Sequence, residues 1–488
     1  MAPARRGPTP RAPDPLDVAQ GACGSRLLQW PFSPSATHCR LSVPSVQAVA
    51  RARRSARRLA FDGPWRFGRL LDAPYRLAFF TAATMVSASA LWWLAVLAAR
   101  FVPGSGLAWS VAPGHAHALL MGFSFMPMFF AGFLMTAGPR WLAVPAVAAR
   151  TLLPTVAAWL AGWATFVAGT HFDARMAAFG LAVVAAGWSA FAWRFARMLA
   201  SSKVRDRTHL RVIGAASGAG AAALWTAAAG LASHQPAVVQ VAISTGLWWF
   251  LAPVFATAMH RMVPVFGVLA PRLDERHPNW LLWTLLAVLA MQVPLTAWPA
   301  GAVALAPATL VLDTAAATLV LWLAVRWATL QNLRIRLLAM LHIGFAWLGI
   351  SLALLAASAA MAWSSGGVTD LRLAGLHALG IGFFGSAQLA FVTRISAGQT
   401  ARSQAADDIA WALFRALQAA VALRIAAAWR PDAAALVLAA ALLWAGVMLA
   451  WSARYVRWYG PPASTVDRDD PRFPQGAPTA PAFEDTVI

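Results

Sequence analysis

Four histidines stand inside long apolar stretches of this sequence, where an ionisable side chain is costly unless it has a partner or a function. They are His115, His117, His342 and His377. Neutral imidazole suits zinc, copper and haem iron, and the apolar stretches contain neither cysteine nor glutamate as a competing strong ligand. These residue types predict a metal or haem site. For each histidine the alternative is a buried imidazole that makes only structural hydrogen bonds.

The first two histidines belong to the motif Pro113-Gly114-His115-Ala116-His117 at the start of one apolar stretch. Residues two apart on a regular helix point about 200° away from each other, so one metal could take both only if this turn is irregular. The preceding Pro-Gly pair permits such a turn. Otherwise one imidazole faces the protein interior and the other packs elsewhere.

His377 lies among glycines in a later apolar stretch. The glycines are Gly375, Gly380, Gly382 and Gly385. Small residues let helices, or a flat macrocycle, approach the backbone closely. The pattern is therefore compatible with a cofactor beside His377 and equally with a helix-packing stripe.

Charged residues inside the apolar stretches are the remaining candidates. Arg424 could clamp a carboxylate such as a haem propionate, or extend its guanidinium to the interface. Asp313 falls in the middle of its stretch, where it could relay protons, pair with a basic residue or make a structural hydrogen bond.

The elements that carry these residues follow from the composition. Of 488 residues, 60% are hydrophobic and only 12% charged, which a soluble protein could not accommodate. Twelve apolar stretches are each close to the roughly 20 residues that cross a bilayer as a helix. They lie near 77–99, 115–137, 146–169, 176–200, 209–232, 238–260, 279–298, 302–327, 337–363, 371–393, 406–429 and 432–456. The sequence predicts an all-α, polytopic membrane bundle over residues 73–457.

The net charge of +21 is distributed as topogenic charge rather than as a nucleic-acid groove. Arginines are concentrated in alternate short loops, which predicts a multi-pass protein in the lipid bilayer with both termini in the cytoplasm. This topology places His115, His117 and His377 at the same outer depth. Residues 1–72 are predicted to form a disordered basic tail, and residues 458–488 a disordered polar tail.

Several separated motifs resemble the NnrS family. The longest is GHAHALLMGFSFMPMFFAGFLMTAGPRWLA from Gly114 to Ala143; others are Pro74-Tyr75-Arg76, His260-Arg261-Met262-Val263-Pro264, Leu341-His342-Ile343-Gly344-Phe345 and Leu376-His377-Ala378-Leu379-Gly380. The likeness extends over roughly residues 73–456. Two motifs depart from the family pattern: Ala118 stands where a glutamate is frequent, and Gly398-Gln399-Thr400-Ala401 replaces a Gly-His-Thr-Gly motif.

The resemblance implies a bacterial inner-membrane protein that contains haem b and copper and is linked to nitric oxide metabolism, denitrification or nitrosative stress. It implies His115, His117, His342 and His377 as ligands. It further implies supporting roles for Arg261, Arg394 and Arg424. The residues do not indicate a redox partner. The resemblance also does not specify whether the protein converts a substrate or acts as a sensor. The alternative from another class is a secondary transporter or efflux protein that uses Asp313 and Arg424.

Overall fold

The structure is a computed structural model that describes most of residues 64–461. The residues outside the description within that range are 105, 267–278, 297–302, 330, 401–404 and 431, together with the side chains of 262–266 and 296. The predicted tails therefore lie outside the described residues over 1–63 and 462–488.

The described residues form helices, turns and loops without any strand. The helices are α1 (Pro74–Ala99), α2 (Pro113–Trp141), α3 (Ala149–Phe172), α4 (Ala174–Ser201), α5 (Thr208–Ala232), α6 (Pro236–Thr245, Gly246–Leu251 and Ala252–Phe266), α7 (Asn279–Thr296), α8 (Ala306–Ala328), α9 (Arg336–Ser364), α10 (Arg372–Gln399), α11 (Asp408–Ala428) and α12 (Ala434–Val456). Eleven of them are long and apolar enough to cross a membrane, and α7 is a shorter apolar helix at the seventh predicted position. The prediction of a polytopic helical bundle is confirmed.

Short connections between successive helices make their directions alternate, which defines two ends of the bundle. The end where α2 and α10 begin is called here the His377 end. The opposite end, where α5 and α9 begin and where α6 finishes, is called the His209 end. Candidate residues early in α2 and α10 therefore share one end of the bundle.

Close helix contacts are made where glycines face each other. A Cβ on Gly180 of α4 would stand 2.5 Å from the Phe166 backbone nitrogen and 2.6 Å from the Gly162 carbonyl oxygen of α3. Only a residue without a side chain fits there, so α3 and α4 pack backbone against backbone. Such small-residue contacts are the usual basis of close helix packing in membranes.

Helix α2 is interrupted in its middle. Its two halves, Pro113–Phe123 and Met126–Trp141, are separated at Ser124 and Phe125. The indole nitrogen of Trp159 in α3 donates to the Ser124 carbonyl oxygen at 2.6 Å. This bond satisfies a backbone group at the interruption, which in an apolar interior would be costly to leave unpaired.

Two helices contain π-helical turns. In α6 the turn covers Gly246–Leu251, and in α10 it covers Ala378–Gly385, directly after His377. Such turns accommodate an additional residue in a helix and often occur at functional sites. The turn in α10 therefore supports the choice of His377 as a candidate.

The ends of the two predicted tails contact the bundle. Residues 64–72 include a 3-10 helix, Phe67–Asp72, and the Arg66 amide donates to the Gly460 carbonyl oxygen at 3.1 Å. The buried guanidinium of Arg76 donates to the carbonyl oxygens of Tyr459 at 3.2 Å and Pro461 at 2.7 Å. Arg76 thus fastens the chain after α12 to the start of α1.

Replacing Arg76 by leucine is expected to destabilise the bundle by about 3 kcal/mol, because buried carbonyl oxygens lose charged donors. Arg69 provides the matched control, since its side chain is 42% exposed and its contact with Asp72 at 3.6 Å is a surface ion pair of small value. Thermal unfolding in detergent should show a large decrease in melting temperature for Arg76→Leu and almost no decrease for Arg69→Leu. Equal melting temperatures would contradict this role of Arg76.

Candidate functional site

The structure brings the imidazoles of His117 and His377 together at the His377 end. Their ring centroids are 6.1 Å apart with an angle of 19° between the planes. The indole of Trp93 from α1 also stacks on His117, with centroids 4.0 Å apart. Three helices thus contribute one layered arrangement of Trp93, His117 and His377.

Hydrogen bonding leaves a ligand position on both imidazoles. The Nδ1 of His377 lies 2.7 Å from the Leu373 carbonyl oxygen, one turn earlier in α10. In a neutral ring Nδ1 is then the protonated donor and Nε2 carries the free lone pair, the arrangement common for metal-bound histidines. The Nδ1 of His117 is buried without a hydrogen-bond partner. An unpaired polar atom of this kind is costly unless a bound group satisfies it.

Arg424 of α11 is close enough to both imidazoles to interact with them electrostatically. It brings a positive charge to a pair of neutral rings, so the site favours a ligand that carries an anionic group. His115 has a different neighbour, since its side chain is hydrogen-bonded with Gln240 of α6. The first turn of α2 therefore directs its two imidazoles to different neighbours.

The glycines three residues from each histidine have open surroundings. A Cβ added at Gly114, three residues before His117, or at Gly380, three residues after His377, would meet no heavy atom within 4 Å. A helix-packing glycine, in contrast, has close neighbours, as Gly382 does against the Trp347 ring. Gly114 and Gly380 therefore do not pack closely against a neighbouring helix.

His342, the fourth predicted ligand, lies toward the opposite end of the bundle. It is about 22 residues, or roughly 33 Å of helix, from the finish of α9 at Ser364, which adjoins the beginning of α10. It lines a small cavity together with His260. The structure thus does not bring His342 to His117 and His377.

The predicted supporting residues are dispersed. The Arg261 guanidinium lies over the Trp141 ring at 4.7 Å, and Arg394 lies roughly 25 Å of helix beyond His377. The Asp313 carboxylate accepts a bond of 2.6 Å from the Gln292 amide, and its second oxygen has no hydrogen-bond partner. A shared transport pathway would favour a contact between Asp313 and Arg424. No described contact joins these two residues.

The structure also shows a histidine pair at the opposite end of the bundle. His209 Nε2 of α5 lies 3.0 Å from His260 Nδ1 of α6, and His260 is only 8% exposed. Both residues lie within two positions of an arginine at a helix end, so the sequence pattern does not distinguish them from topogenic residues. Across the described residues, no group of three or more His, Cys, Asp or Glu side chains is arranged to hold a metal ion.

Trp93 is expected to fix the orientation of His117, because the indole covers one face of the imidazole. Replacing Trp93 by leucine should alter any spectrum in which His117 participates, and phenylalanine should restore most of it by stacking in the same way. The exposed Trp363 gives a matched control as Trp363→Leu. A spectrum unchanged in Trp93→Leu would show that stacking does not position His117.

The fold and the site define a multi-pass helical membrane protein with an imidazole pair near one end of its bundle. The family model described as "NnrS protein" matches residues 69–462. The chain belongs to the NnrS family. No curated protein matches the chain significantly. A search of solved structures gives no significant match either.

Proposed function

We propose that this chain is a haem-binding protein of the bacterial inner membrane that binds nitric oxide or a similar small ligand. Membership of the NnrS family supports the proposal, together with the membrane-length helices of the bundle. The observation that carries it is the imidazole pair of His117 and His377 with Arg424 close to both rings.

The residues present fit haem in three respects. His377 would hold the iron through Nε2, because its Nδ1 donates to the Leu373 carbonyl oxygen. His117 offers a second imidazole with a buried nitrogen that needs a partner. Arg424 would pair with a propionate, since a guanidinium binds carboxylates in a bidentate manner. When bound, haem supplies an iron that binds diatomic ligands.

Copper, the other cofactor that the resemblance implies, fits the described residues less well. Copper sites in proteins usually combine several imidazole or thiolate ligands, and the described part of the chain gathers no three ligands at one point. His115, proposed with His117 and His377 for a metal, is engaged with Gln240. The copper site stays a prediction, and no chemical role is derived from it.

The side chains around the pair suit a site for an uncharged ligand. Trp93 covers one face of His117, and Ala116, Leu119 and Leu120 are buried in the same turn of α2. An apolar surrounding of this kind excludes bulk water and lets a small uncharged molecule arrive from the bilayer. The proposed orientation places the His377 end on the outer side of the membrane, with both termini in the cytoplasm.

The test is the absorption spectrum and iron content of the full chain purified in detergent. We expect a Soret band, about one iron for each chain, and a shift of that band when nitric oxide is added to the reduced protein under anaerobic conditions. Absence of both the band and the iron would overturn the proposal. A Soret band that nitric oxide does not shift would be consistent with haem binding but would contradict nitric oxide as the ligand.

A further inference from the structure

A hydrogen-bonded group of polar side chains crosses the middle of the bundle between α9, α10 and α11. The Trp347 indole nitrogen donates to the Gln418 amide oxygen at 2.7 Å, and the Gln418 amide nitrogen donates to the Ser386 hydroxyl at 3.0 Å. The bundle interior is otherwise mainly apolar, so a linked polar group there needs a reason. The site at His117 and His377 does not include these residues.

At the His209 end, the His209–His260 pair has the geometry of a shared proton. Their nitrogens are 3.0 Å apart, the usual length of an N–H···N bond. A metal bound linearly to both nitrogens at about 2.0 Å each would separate them by about 4 Å. An imidazole can accept a proton at one nitrogen while it releases one from the other, so two rings in series can pass a proton along.

A cavity of about 30 Å³ continues inward from this pair. His260, His342 and Gln331 line it, and the Gln331 amide oxygen has no hydrogen-bond partner. A buried water needs about 10–15 Å³ and several polar partners, so the cavity has room for about two waters. The rest of the lining is apolar, so water in the cavity would depend on Gln331 and the two imidazoles for its hydrogen bonds.

The polar groups succeed one another along the helices. His342 and Trp347 are five residues apart in α9, or roughly 7.5 Å of rise, and Gln418 and Arg424 are six residues apart in α11, or roughly 9 Å. The two pairs also lie about 140° and about 120° apart around their helices, so a connection between them would have to pass through water held between neighbouring helices. The order from one end to the other is His209, His260, the cavity at His342, then Trp347, Gln418 and Ser386, then Arg424.

We propose that a chain of water molecules carries protons from the His209 end of the bundle to the neighbourhood of His377 and Arg424; His209 and His260 relay protons at its entrance, and Trp347, Gln418 and Ser386 line it through hydrogen bonds. This path is called the polar seam, and its residues are His209, His260, His342, Trp347, Gln418 and Ser386. Its purpose rests on the proposed function, because a buried cofactor that gains or loses charge needs a proton to compensate. The path itself does not require a bound cofactor.

The entrance of the seam carries a charge suited to protons. Asp206 lies close to His209, and the backbone N–H of Thr208 holds the pKa of this exposed carboxyl below its ordinary value. An ionised carboxylate at the entrance attracts protons, and the positive charge of the nearby Arg261 offsets part of this attraction. His209 Nδ1 is buried without a partner and is the nitrogen left to accept a proton.

The test measures how fast the Trp347 indole N–H exchanges with deuterium in the full-length protein, labelled with ¹⁵N-tryptophan and reconstituted in lipid nanodiscs. Trp159 and Trp188 provide internal controls, because both indoles are fully buried and donate to backbone carbonyl oxygens away from the seam. We expect Trp347 to exchange at least about tenfold faster than either control. An equally slow Trp347 would overturn the proposal.

The variant His260→Leu interrupts the seam at its second residue. Trp347 exchange should then slow at least about tenfold, with Trp159 and Trp188 unchanged. His209→Gln is the second variant, because an amide retains a hydrogen bond to His260 and cannot relay a proton. If Trp347 exchanges in both variants as in the parent chain, water reaches it by another route and the seam is refuted.

The result separates the path from the proposed function. Exchange at Trp347 is observed with or without haem, so a protein that lacks haem and still shows the His260 effect supports the seam and overturns only the haem site. A haem-containing protein without the His260 effect overturns only the seam.

Discussion

Replacing His377 by alanine is expected to remove the Soret band and the bound iron from the purified protein. His377 alone of the pair has its Nδ1 directed to a backbone carbonyl oxygen, which leaves Nε2 in the orientation that ligating histidines adopt. Loss of partners that only orient such a ligand already reduces metal affinity 10–100-fold, so loss of the ligand should cost at least about 100-fold. Iron analysis and the absorption spectrum measure the effect.

The comparison requires variants that separate a ligand from a general loss of structure. His234→Ala is the matched control, since His234 is exposed in the turn between α5 and α6 and has no described contact with His117 or His377. His117→Ala should retain haem in part and change the position of the Soret band, because one ligand remains. Full haem content in His377→Ala, with normal elution on size exclusion, would remove His377 from the site.

Replacing Gly180 by valine is expected to have the largest effect on folding. A Cβ at this position would lie 2.5 Å from the Phe166 backbone nitrogen, and backbone cannot move aside as the end of a flexible side chain can. The α3–α4 contact would have to separate over its length. The cost should reach the upper part of the range for overpacking, about 3 kcal/mol or more.

The control for this prediction is Gly446→Val in α12, where a Cβ would meet nothing within 4 Å. Both variants place the same side chain in an apolar helix, so they differ only in the space available. Yield of monodisperse protein and thermal unfolding in detergent should fall for Gly180→Val alone. Similar values for the two variants would show that α3 and α4 need not touch.

The helical bundle could be predicted from the sequence because each membrane-length apolar stretch carries its own signal. The position of His117 and His377 at the same end of the bundle was also predicted from the sequence, because alternating helix directions place the starts of α2 and α10 on the same side of the membrane. His342 was grouped with them by family likeness, which contains no depth information. Helix counting alone puts it toward the other end of α9.

Contacts between side chains of different helices could not be predicted from the sequence. The pairing of His209 with His260 joins α5 to α6, and the stacking of Trp93 on His117 joins α1 to α2. Neither contact produces a characteristic spacing in the sequence, because hydrophobic periodicity shows only which face of a single helix is apolar. The engagement of His115 with Gln240 likewise became evident only from the packed bundle.

The π-helical turn of α10 determines how the two ends of that helix are aligned. His377 precedes the turn and Ser386 follows it, so the residue that the turn accommodates sets their relative rotation. Deleting one residue between Ala378 and Gly385 would turn one half of α10 by roughly 100° relative to the other. The change would face Ser386 away from Gln418 while His377 keeps its place. Sequence length in this segment is therefore as constrained as residue identity, although no single side chain in it carries the role.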